Sequence, residues 1–430
     1  MWQHFETFHI YFQPVYASIY FPGNSICMAL SFALFGHPWP GVVLSVGLMC
    51  GAAVWALERW VPRRWALWGG VLMGLRFGIF GYWMNSYWGG AMAALGGLLV
   101  IGALGARRPF HGISFGAGCA VLLFSRPFEA LIAVIVAALS ARIWRLGTRL
   151  LPAAAIGMVA LIAFGYYNFR LTGNVLTPPY RVSAKFYNDG NVLPGLSPRT
   201  DVAFRHVELR RMADEFEAAN GRVFATWESG LRYTWSKLSV WRIKLLGPLL
   251  TIPLLFGMWR DRRFGVALVC GLAGFGAHQF FTVHYFAPML GLQWVLTMRG
   301  WSGLAASKHG ARFVLWIGLG CVISSLWPYN GNDSERTWGC CTAPGNVRRA
   351  SFVQELEAKG GRHLVIVSYK ATHNIHEEWV YNRAEIDSST IVWARAMSEA
   401  EDARLIDAYK DRAVWRINPD ATDLAIRRVR

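Results

Sequence analysis

The run GGAMAALGGLLVIGALGARR at residues 89–108 decides the fold class of this chain. Its first part, 89–105, contains only apolar and small residues, and two arginines, Arg107 and Arg108, follow at once. An apolar stretch close to the ~20 residues that cross a bilayer, ended by basic residues, is typical of a membrane-spanning helix. Because the same pattern recurs along the chain, the sequence predicts a mainly α, polytopic membrane protein.

Composition supports this prediction and excludes several classes. Hydrophobic residues make up 54% of the 430 residues and charged residues 16%, with 21 Trp and a mean hydropathy of +0.29. Soluble domains carry about 25% charged residues, so disordered, collagenous, coiled-coil and ordinary cytosolic proteins are excluded. The net charge of +17 would suggest nucleic acid in a soluble protein. Here the arginines lie in short runs between apolar segments, and we expect no nucleic-acid partner.

Apolar segments predict about ten spans, some of them short enough to leave their boundaries open. They lie at 41–57, 65–83, 89–105, 112–124, 128–141, 151–168, 241–258, 264–281, 284–298 and 312–327. The stretch 112–141 is also compatible with one long bent element in place of two helices.

The linkers between these segments alternate in charge. Every second linker is basic, and together these linkers hold Arg59, Arg63, Arg64, Arg107, Arg108, Arg142, Arg145, Arg149, Arg260, Arg262, Arg263, Arg299, Lys308 and Arg312. Glu58 and Asp261 are their acidic residues, and the turns 84–88 and 282–283 carry no charge. Since basic loops stay in the cytoplasm, we predict an inner-membrane protein whose amino and carboxyl termini are both extracytoplasmic.

This topology divides the chain into five parts. Residues 1–40 form an extracytoplasmic arm, in which 25–35 is a helix lying in the outer interface. Transmembrane helices follow over 41–168 and 241–328, separated by an extracytoplasmic loop over 169–240. In 329–430, helical spacing alternates with short apolar runs such as HLVIVSY, which predicts a small extracytoplasmic α/β domain with a parallel sheet.

The arm offers the first candidate site. Glu6 lies between His4 and His9 in the run HFETFH. A carboxylate there suits a general base, and together with His9 it is a candidate ligand for a divalent metal. The alternative is an interfacial segment whose polar side chains simply face water.

Charged and aromatic residues at the predicted outer junctions offer the second. Arg126 and Glu129 flank a proline in SRPFEA, and His284 and Tyr285 end the run HQFFTVHY. Ionisable groups in apolar segments are costly and mark functional sites, although a structural ion pair explains Arg126 and Glu129 equally well. In the outer loop, Arg170 and Arg181 suit a phosphate near the membrane surface. The alternative is that these two arginines are ordinary charged residues exposed to water. The tail motif formed by His373 and His376 lacks a third metal ligand.

Six runs carry a family resemblance. They are HFETFH (4–9), PVYASIY (14–20), NSYWGGAMAALGGLLVIGAL (85–104), SRPFEA (125–130), YYNFRLTGN (166–174) and EEWVYNRAEID (377–387). In these runs the chain resembles a group of multipass bacterial proteins related to the GT-C-type membrane glycosyltransferases.

The resemblance implies a transferase that takes a sugar from a polyprenyl-phosphate donor in the bilayer and passes it to an acceptor on the outer face. It implies a catalytic acidic residue in an outer loop and, in some members, a divalent metal as a cofactor. For this activity we predict Glu6 and Glu129 as the catalytic carboxylates. The substrate-binding residues would be His4, His9, Arg126, Arg170, Arg181, His284 and Tyr285. Relative to the family pattern, Met1 falls inside the first outer loop, so the family's first helix and its acidic motif have no counterpart here. Ile19 and Phe21 replace a lysine and a proline of the pattern.

Two other classes of function compete with the transferase. A transporter or flippase is suggested by Arg76 and Glu129 within apolar segments, but such proteins usually contain two similar halves, which the sequence does not show. A non-catalytic membrane scaffold would use the tail domain to bind a partner.

Overall fold

A computed structural model describes residues 1–7, 9–79, 81–105, 111–141, 147, 150–187, 203–214, 223–224, 226–276, 282–326, 344–374 and 377–430. These residues are mainly helical, as the composition predicts. The helices are α1 (Gly23–Phe35), α2 (Trp39–Leu57), α3 (Arg63–Met73), α4 (Tyr82–Asn85), α5 (Ala91–Leu104), α6 (His111–Ser125), α7 (Pro127–Ala141), α8 (Leu150–Thr172), α9 (Pro179–Tyr187), α10 (Val207–Met212), α11 (Trp227–Trp241), α12 (Pro248–Arg260), α13 (Arg262–Gly276), α14 (Leu290–Leu304), α15 (Lys308–Leu326), α16 (Pro344–Lys359) and α17 (Glu399–Ala408).

Helix α14 is the centre of the helical part. Its residues from Leu290 to Met298 are all buried, as expected of a helix that is apolar on every side. It packs against α5 and α12, and the indole of Trp294 donates a hydrogen bond of 2.9 Å to the carbonyl of Gly69 in α3. The buried side chains around it form one continuous core.

Full-length spans are fewer than predicted in the described part of the chain. Two helices there, Trp39–Leu57 and Leu150–Thr172, are long and apolar enough to cross a membrane, and the bent pair Trp227–Leu246 and Pro248–Arg260 would make a third. The 14 residues of α5 cover about 21 Å at 1.5 Å each, short of the ~30 Å hydrocarbon layer. The predicted count of about ten is wrong for full-length helices, because breaks such as Pro127 and the π-helix Gly74–Ile79 shorten the elements.

Among the described residues, the basic linkers around Trp60, Asp261 and Arg299 lie together at one end of the helical part. Trp60, in the first basic linker, donates a 3.1 Å hydrogen bond to the carbonyl of Ile101, and its ring meets that of Phe264 with centroids 5.0 Å apart. Arg299 pairs with Asp261 at 2.5 Å, which joins two further basic linkers. These linkers, which share a basic charge in the sequence, are therefore also neighbours in the structure.

The uncharged turns lie together at the other end. Asn24, at the start of α1, donates a 2.7 Å hydrogen bond to the carbonyl of Tyr87. Gly23 lies against the end of α6: a Cβ at this position would be 2.8 Å from the carbonyl oxygen of Phe124. The arm, the 84–90 turn and the α6–α7 junction are thus neighbours.

The tail forms an α/β unit, as predicted. Its sheet has the order β4-β3-β5-β6, with β3 (His363–Val367), β4 (Ile391–Arg395), β5 (Ala413–Ile417) and β6 (Arg427–Arg428). Strand β3 runs parallel to both β4 and β5, and β6 is antiparallel to β5. All five residues of β3 are buried, which explains its continuous apolar run.

The arm folds back onto this domain. A short 3-10 helix, Trp2–Phe5, contacts β4, and a small hairpin joins β1 (Ile10–Tyr11) to β2 (Ala17–Ser18). Phe5 packs into the core of the tail domain, with Leu364 and Val392 among its neighbours. The arm and the tail domain therefore share one hydrophobic core.

Candidate functional site

The first polar cluster forms where α6 ends and α7 begins. Pro127 opens α7, so the chain breaks at Arg126 and Glu129 falls on the first turn of the new helix. The guanidinium Nη1 of Arg126 lies 3.2 Å from Oε1 of Glu129. The Glu129 side chain is 7% exposed and that of Arg126 is 22% exposed. The pair is therefore largely buried, and Arg126 is its more exposed member.

The second predicted run meets this pair. The 3-10 helix Val283–Met289 is buried along most of its length and carries His284 and Tyr285. The guanidinium carbon of Arg126 lies 4.0 Å from the centre of the Tyr285 ring, which is a close cation–π contact. Arg126 thus lies between a carboxylate and an aromatic ring, and residues about 160 positions apart in sequence share one site.

His284 is held by hydrogen bonds on both ring nitrogens. Its Nδ1 is 2.9 Å from the hydroxyl of Tyr82, and its Nε2 is 3.2 Å from the hydroxyl of Thr282. The ring of Trp88 meets the imidazole edge-on at 5.5 Å. Tyr82 and Trp88 belong to the uncharged 82–90 region, so three separate turns build this cluster, which we call the junction site (Arg126, Glu129, His284, Tyr285, Tyr82 and Trp88).

Helix α11 supplies a second cation that the sequence analysis missed. Lys237 is buried and donates a 3.1 Å hydrogen bond to the carbonyl of Gly276, with its ammonium 4.2 Å from the centre of the Tyr233 ring. Helix α11 also contacts the 3-10 helix Val283–Met289, which carries Tyr285. The only signal in the sequence was a lysine four residues before a predicted span, which is common at the ends of spans.

The junction site can bind an anion next to an apolar surface. A guanidinium carries five N–H donors in a planar fork that matches phosphate oxygens. Glu129 orients this fork, the ring of Tyr285 provides a flat surface beside it, and the ring of Trp88 lies against His284 in the same site. A carboxylate, an imidazole and a tyrosine hydroxyl lie within the same cluster, so groups that can accept or donate a proton are also present.

Glu6 and His4 lie in a different cluster, within the contact between arm and tail. Both are buried, so the alternative in which these polar side chains simply face water is wrong for them. The Glu6 carboxylate is 3.1 Å from Nε2 of His206, and Nδ1 of His4 is 2.9 Å from the carbonyl of Arg395. His206 is a partner of Glu6 that the sequence analysis did not single out, because 200 residues separate them.

Arg395, at the end of β4, connects the arm to the tail. Its Nε donates a 2.7 Å hydrogen bond to the carbonyl of Glu6, and its Nη2 donates to the carboxylate of Glu378. Glu208 of α10 lies 3.7 Å from its Nη1. One buried cation therefore meets the arm, the outer loop and the run EEWVYNRAEID, and we call this group the arm–tail network (Glu6, His206, Glu208, Glu378 and Arg395).

Tyr369 and His373 extend the network on the tail side. The Tyr369 hydroxyl donates a 2.5 Å hydrogen bond to Glu378, and its ring stacks on that of His373 with centroids 4.0 Å apart. His373 pairs with Asp420 at 2.7 Å. Burial, and next the negative charge of Glu378, raise the pKa of the Tyr369 hydroxyl well above its usual value.

The remaining predicted residues lie on the surface. His9 is exposed and its Nδ1 is 3.1 Å from the hydroxyl of Tyr20. Arg170 is exposed and donates a 2.9 Å hydrogen bond to the hydroxyl of Tyr166 four residues earlier. Arg181, in α9, is also exposed. No contact found among the described residues brings these three side chains to Arg126.

Within the described residues, no three His, Cys, Asp or Glu side chains are grouped so as to hold a metal ion. Glu6 faces His206 there, whereas the proposed second ligand, His9, faces Tyr20. His376 of the tail motif lies outside the described residues.

Arg76 has a structural role in the contacts of the described chain. Its Nε donates a 3.1 Å hydrogen bond to the carbonyl of Lys244, and its Nη2 donates to the carbonyls of Ile243 and Lys244. These carbonyls belong to the π-helix Arg242–Leu246, which ends at Gly247. The cation therefore satisfies carbonyls at the end of a helix, where it also opposes the helix dipole.

No family model, curated protein or solved structure matches the chain.

Proposed function

We propose that the protein is a membrane glycosyltransferase of the GT-C type, which transfers a sugar from a polyprenyl-phosphate donor to an acceptor on the outer face of the inner membrane. The observation that supports this most is the junction site, where SRPFEA and the end of HQFFTVHY meet around Arg126. A cation, a carboxylate and aromatic surfaces at the uncharged end of an apolar helical bundle suit a lipid-linked phosphate.

The bundle would be embedded in the inner membrane, with short helices completing it between the longer ones. The grouping of basic linkers at one end and uncharged turns at the other supports the orientation, because basic loops stay cytoplasmic. Both termini and the junction site would then be extracytoplasmic.

In this reaction the acceptor hydroxyl attacks the anomeric carbon, a new C–O bond forms, and the bond from that carbon to the phosphate oxygen breaks. Glu129 would take the proton of the acceptor hydroxyl, and Arg126 would stabilise the negative charge on the departing polyprenyl phosphate. His284 and Tyr285 would line the binding site. Glu6, which the resemblance implies as a catalytic base, lies in the arm–tail network, and His206 would be its proton partner if it acts.

The direct test is release of polyprenyl phosphate from radiolabelled polyprenyl-phosphate sugars by the full-length protein in nanodiscs, with native membranes supplying the acceptor. We expect Arg126→Ala to lower kcat/KM by at least about 100-fold, since loss of one charge-stabilising donor costs that much. Arg126→Lys should recover part of the activity. Arg383→Ala, on the tail surface, is the matched control and should be unchanged.

Comparison of two further variants separates the carboxylates. Glu129→Gln should abolish turnover if Glu129 is the base, and Glu6→Gln should abolish it if the family role of Glu6 is retained. A protein that releases no polyprenyl phosphate from any donor would contradict the proposal. Uptake of substrate into vesicles without a donor would then indicate a transporter, and tail-dependent copurification of an envelope protein would indicate a scaffold.

A further inference from the structure

Helix α11 has an exposed apolar stripe. Trp227 is 80% exposed, Leu231 52% and Trp235 72%. These residues are four apart, and side chains at this spacing lie above one another on one side of a helix. Three large apolar side chains on a single exposed stripe are unusual for a helix in water, because their exposure to water is unfavourable.

The neighbouring stripe of the same helix is exposed and polar. It consists of Glu228, Arg232 and Ser236, each one position after a member of the apolar stripe. Arg232 pairs with Glu228 at 2.5 Å. The helix therefore presents two different surfaces to its surroundings, about 100° apart around its axis.

The third side of α11 rests on the protein. Gly230 and Lys237 are buried, and both Lys237 and Thr234 donate hydrogen bonds to the carbonyl of Gly276 at the end of α13. The contact with the protein thus uses these polar groups and, at the end of the helix, the buried indole of Trp241, and the apolar stripe points away from it. A helix on a water-exposed protein surface has the opposite arrangement.

The chain turns sharply after α11. The elements Trp227–Leu246 and Pro248–Arg260 meet at 101°, and Gly247 at the bend has φ +79°, a conformation that favours glycine. Helix α12 beyond the bend exposes Ile252, Leu255 and Trp259. If α12 enters the hydrocarbon layer along the membrane normal, a bend near 90° lays α11 along the membrane surface.

We propose that α11 lies in the outer lipid interface of the bilayer, with Trp227, Leu231 and Trp235 inserted at the boundary between headgroups and acyl chains. Tryptophan collects at this depth, and a helix with one apolar and one charged surface binds there. Large apolar residues are also exposed on both sides of the bend, Ile243 before it and Leu255 after it. Arg232 and Arg242 are exposed beside it and favour anionic lipid headgroups.

This placement brings bilayer lipid to the junction site, because α11 also contacts the 3-10 helix Val283–Met289, which carries Tyr285. A lipid-linked phosphate would reach Arg126 laterally, along α11. The inference rests on the membrane location in the proposed function but not on the glycosyl transfer itself.

The test places a fluorescent noncanonical amino acid at single positions of the full-length protein, reconstituted in phosphatidylethanolamine–phosphatidylglycerol nanodiscs. Probes at Leu231 and Trp235 report the apolar stripe, a probe at Ser236 is the matched control one residue away, and a probe at Leu255 reports α12. Quenching by lipids that carry a nitroxide near the headgroup is compared with quenching by aqueous iodide. We expect the ratio of lipid to iodide quenching to be at least about threefold higher at 231 and 235 than at 236.

Each other outcome has a separate meaning. If the probe at 255 is quenched by lipid while those at 231 and 235 are quenched as much by iodide as 236 is, α11 lies in water and the inference is overturned, although the membrane location stands. If 231 and 235 are shielded from both quenchers, the stripe contacts another protein copy and the inference is also overturned. If the probe at 255 is not quenched by lipid either, the membrane location fails together with the inference.

Discussion

At the scale of single residues, Arg126 is the side chain whose surroundings are most informative. A half-buried cation beside a nearly buried carboxylate loses part of its hydration, and the two charges and the Tyr285 ring compensate for this loss. Removing either charge alone leaves the other one buried without its partner, which typically costs about 3–5 kcal/mol. Activity data for Arg126→Ala therefore need the Arg126→Lys variant beside them, because loss of folding and loss of phosphate binding would both lower the activity.

The hydrogen bond between Tyr82 and His284 allows a milder change at the same site. Tyr82→Phe removes only the hydroxyl that meets Nδ1 of His284, and we expect a loss of about 1–3 kcal/mol, since a buried polar atom loses its partner. Thermal unfolding of the purified protein in detergent measures this. Tyr87→Phe, in the adjacent exposed turn, is the control. An unchanged midpoint for Tyr82→Phe would show that water replaces the hydroxyl and that this end of the bundle is open.

The buried position of the Tyr369 hydroxyl predicts that the tail domain loses stability at high pH. Burial and the charge of Glu378 raise the pKa of its hydroxyl in the folded protein, so the folded state holds this proton more tightly than the unfolded state does. The stabilisation is fully present below the unfolded pKa of about 10 and decreases as the pH rises above it. Tyrosine ionisation is followed by absorbance at 295 nm in the wild type and in Tyr369→Phe, and the difference between the two titrations reports Tyr369. We expect this difference near pH ~10 in denaturant but not in the native protein. Ionisation of Tyr369 at that pH in the native protein would contradict the prediction.

At the scale of elements, close approach through glycine determines how the helices pack. In the α12–α14 pair, a Cβ on Gly300 would lie 1.8 Å from the carbonyl oxygen of Pro253, and one on Gly257 would lie 2.0 Å from that of Leu296. Backbone atoms on both sides leave no room for a side chain, and small residues at such crossings are typical of helices that pack in membranes.

Gly300→Ala should therefore separate α12 from α14 and destabilise the protein by about 1–3 kcal/mol, as overpacking does. Gly157→Ala is the matched control, because no atom lies within 4 Å of the Cβ position at this helical glycine. We expect the control to be neutral or slightly stabilising, since alanine favours helix by about 1 kcal/mol over glycine. Thermal midpoints of the two variants, measured in one detergent, test the difference; equal midpoints would show that the two helices can move apart without cost.

At the scale of the whole molecule, the arm, helix α10 and the tail domain form one unit through Arg395 and Phe5. Phe5 shares a core with Leu364 and Val392, and Arg395 meets the carbonyl of Glu6. The carboxyl edge of a parallel sheet is where α/β domains usually bind ligands. In this protein the amino-terminal arm of the same chain occupies part of that edge.

Phe5→Ala should loosen this unit by about 3–5 kcal/mol, the usual cost of truncating a buried phenylalanine. Hydrogen exchange followed by mass spectrometry on the full-length protein should show faster exchange in β3 and β4. His9→Ala changes an exposed residue of the same arm and should leave both strands protected. Unchanged exchange in Phe5→Ala would mean that the tail domain is stable without the arm.

The orientation is testable with two exposed serines. In intact cells, a membrane-impermeant maleimide should label a Ser388→Cys variant in the tail but not a Ser307→Cys variant in the last basic linker, because basic loops stay in the cytoplasm. Wild-type protein gives the background from native cysteines. Labelling of the Ser307→Cys variant alone would invert the proposed topology.

Much of the architecture was predictable because it depends on local patterns. Apolar runs and their basic linkers predicted a helical chain, and short apolar runs such as HLVIVSY predicted the strands of the tail, β3 among them. Helix lengths were predicted less well, since Pro127 and the π-helix Gly74–Ile79 interrupt apolar runs without changing their hydropathy. The proximity of Arg126 to Tyr285 was not predictable from spacing, although both residues were candidates.

By itself the sequence determined the helical class of the protein, the charge difference between its two sets of linkers and the α/β character of its tail, because hydropathy, charge and strand patterns are local properties. Only the tertiary structure decided which candidates lie together. It joined Arg126 and Glu129 to His284 and Tyr285, placed Glu6 and His4 with Arg395 and His206, and left Arg170 and Arg181 on the surface. These choices depend on which helices and strands become neighbours, and packing over distances of more than a hundred residues leaves no periodic signal in a single sequence.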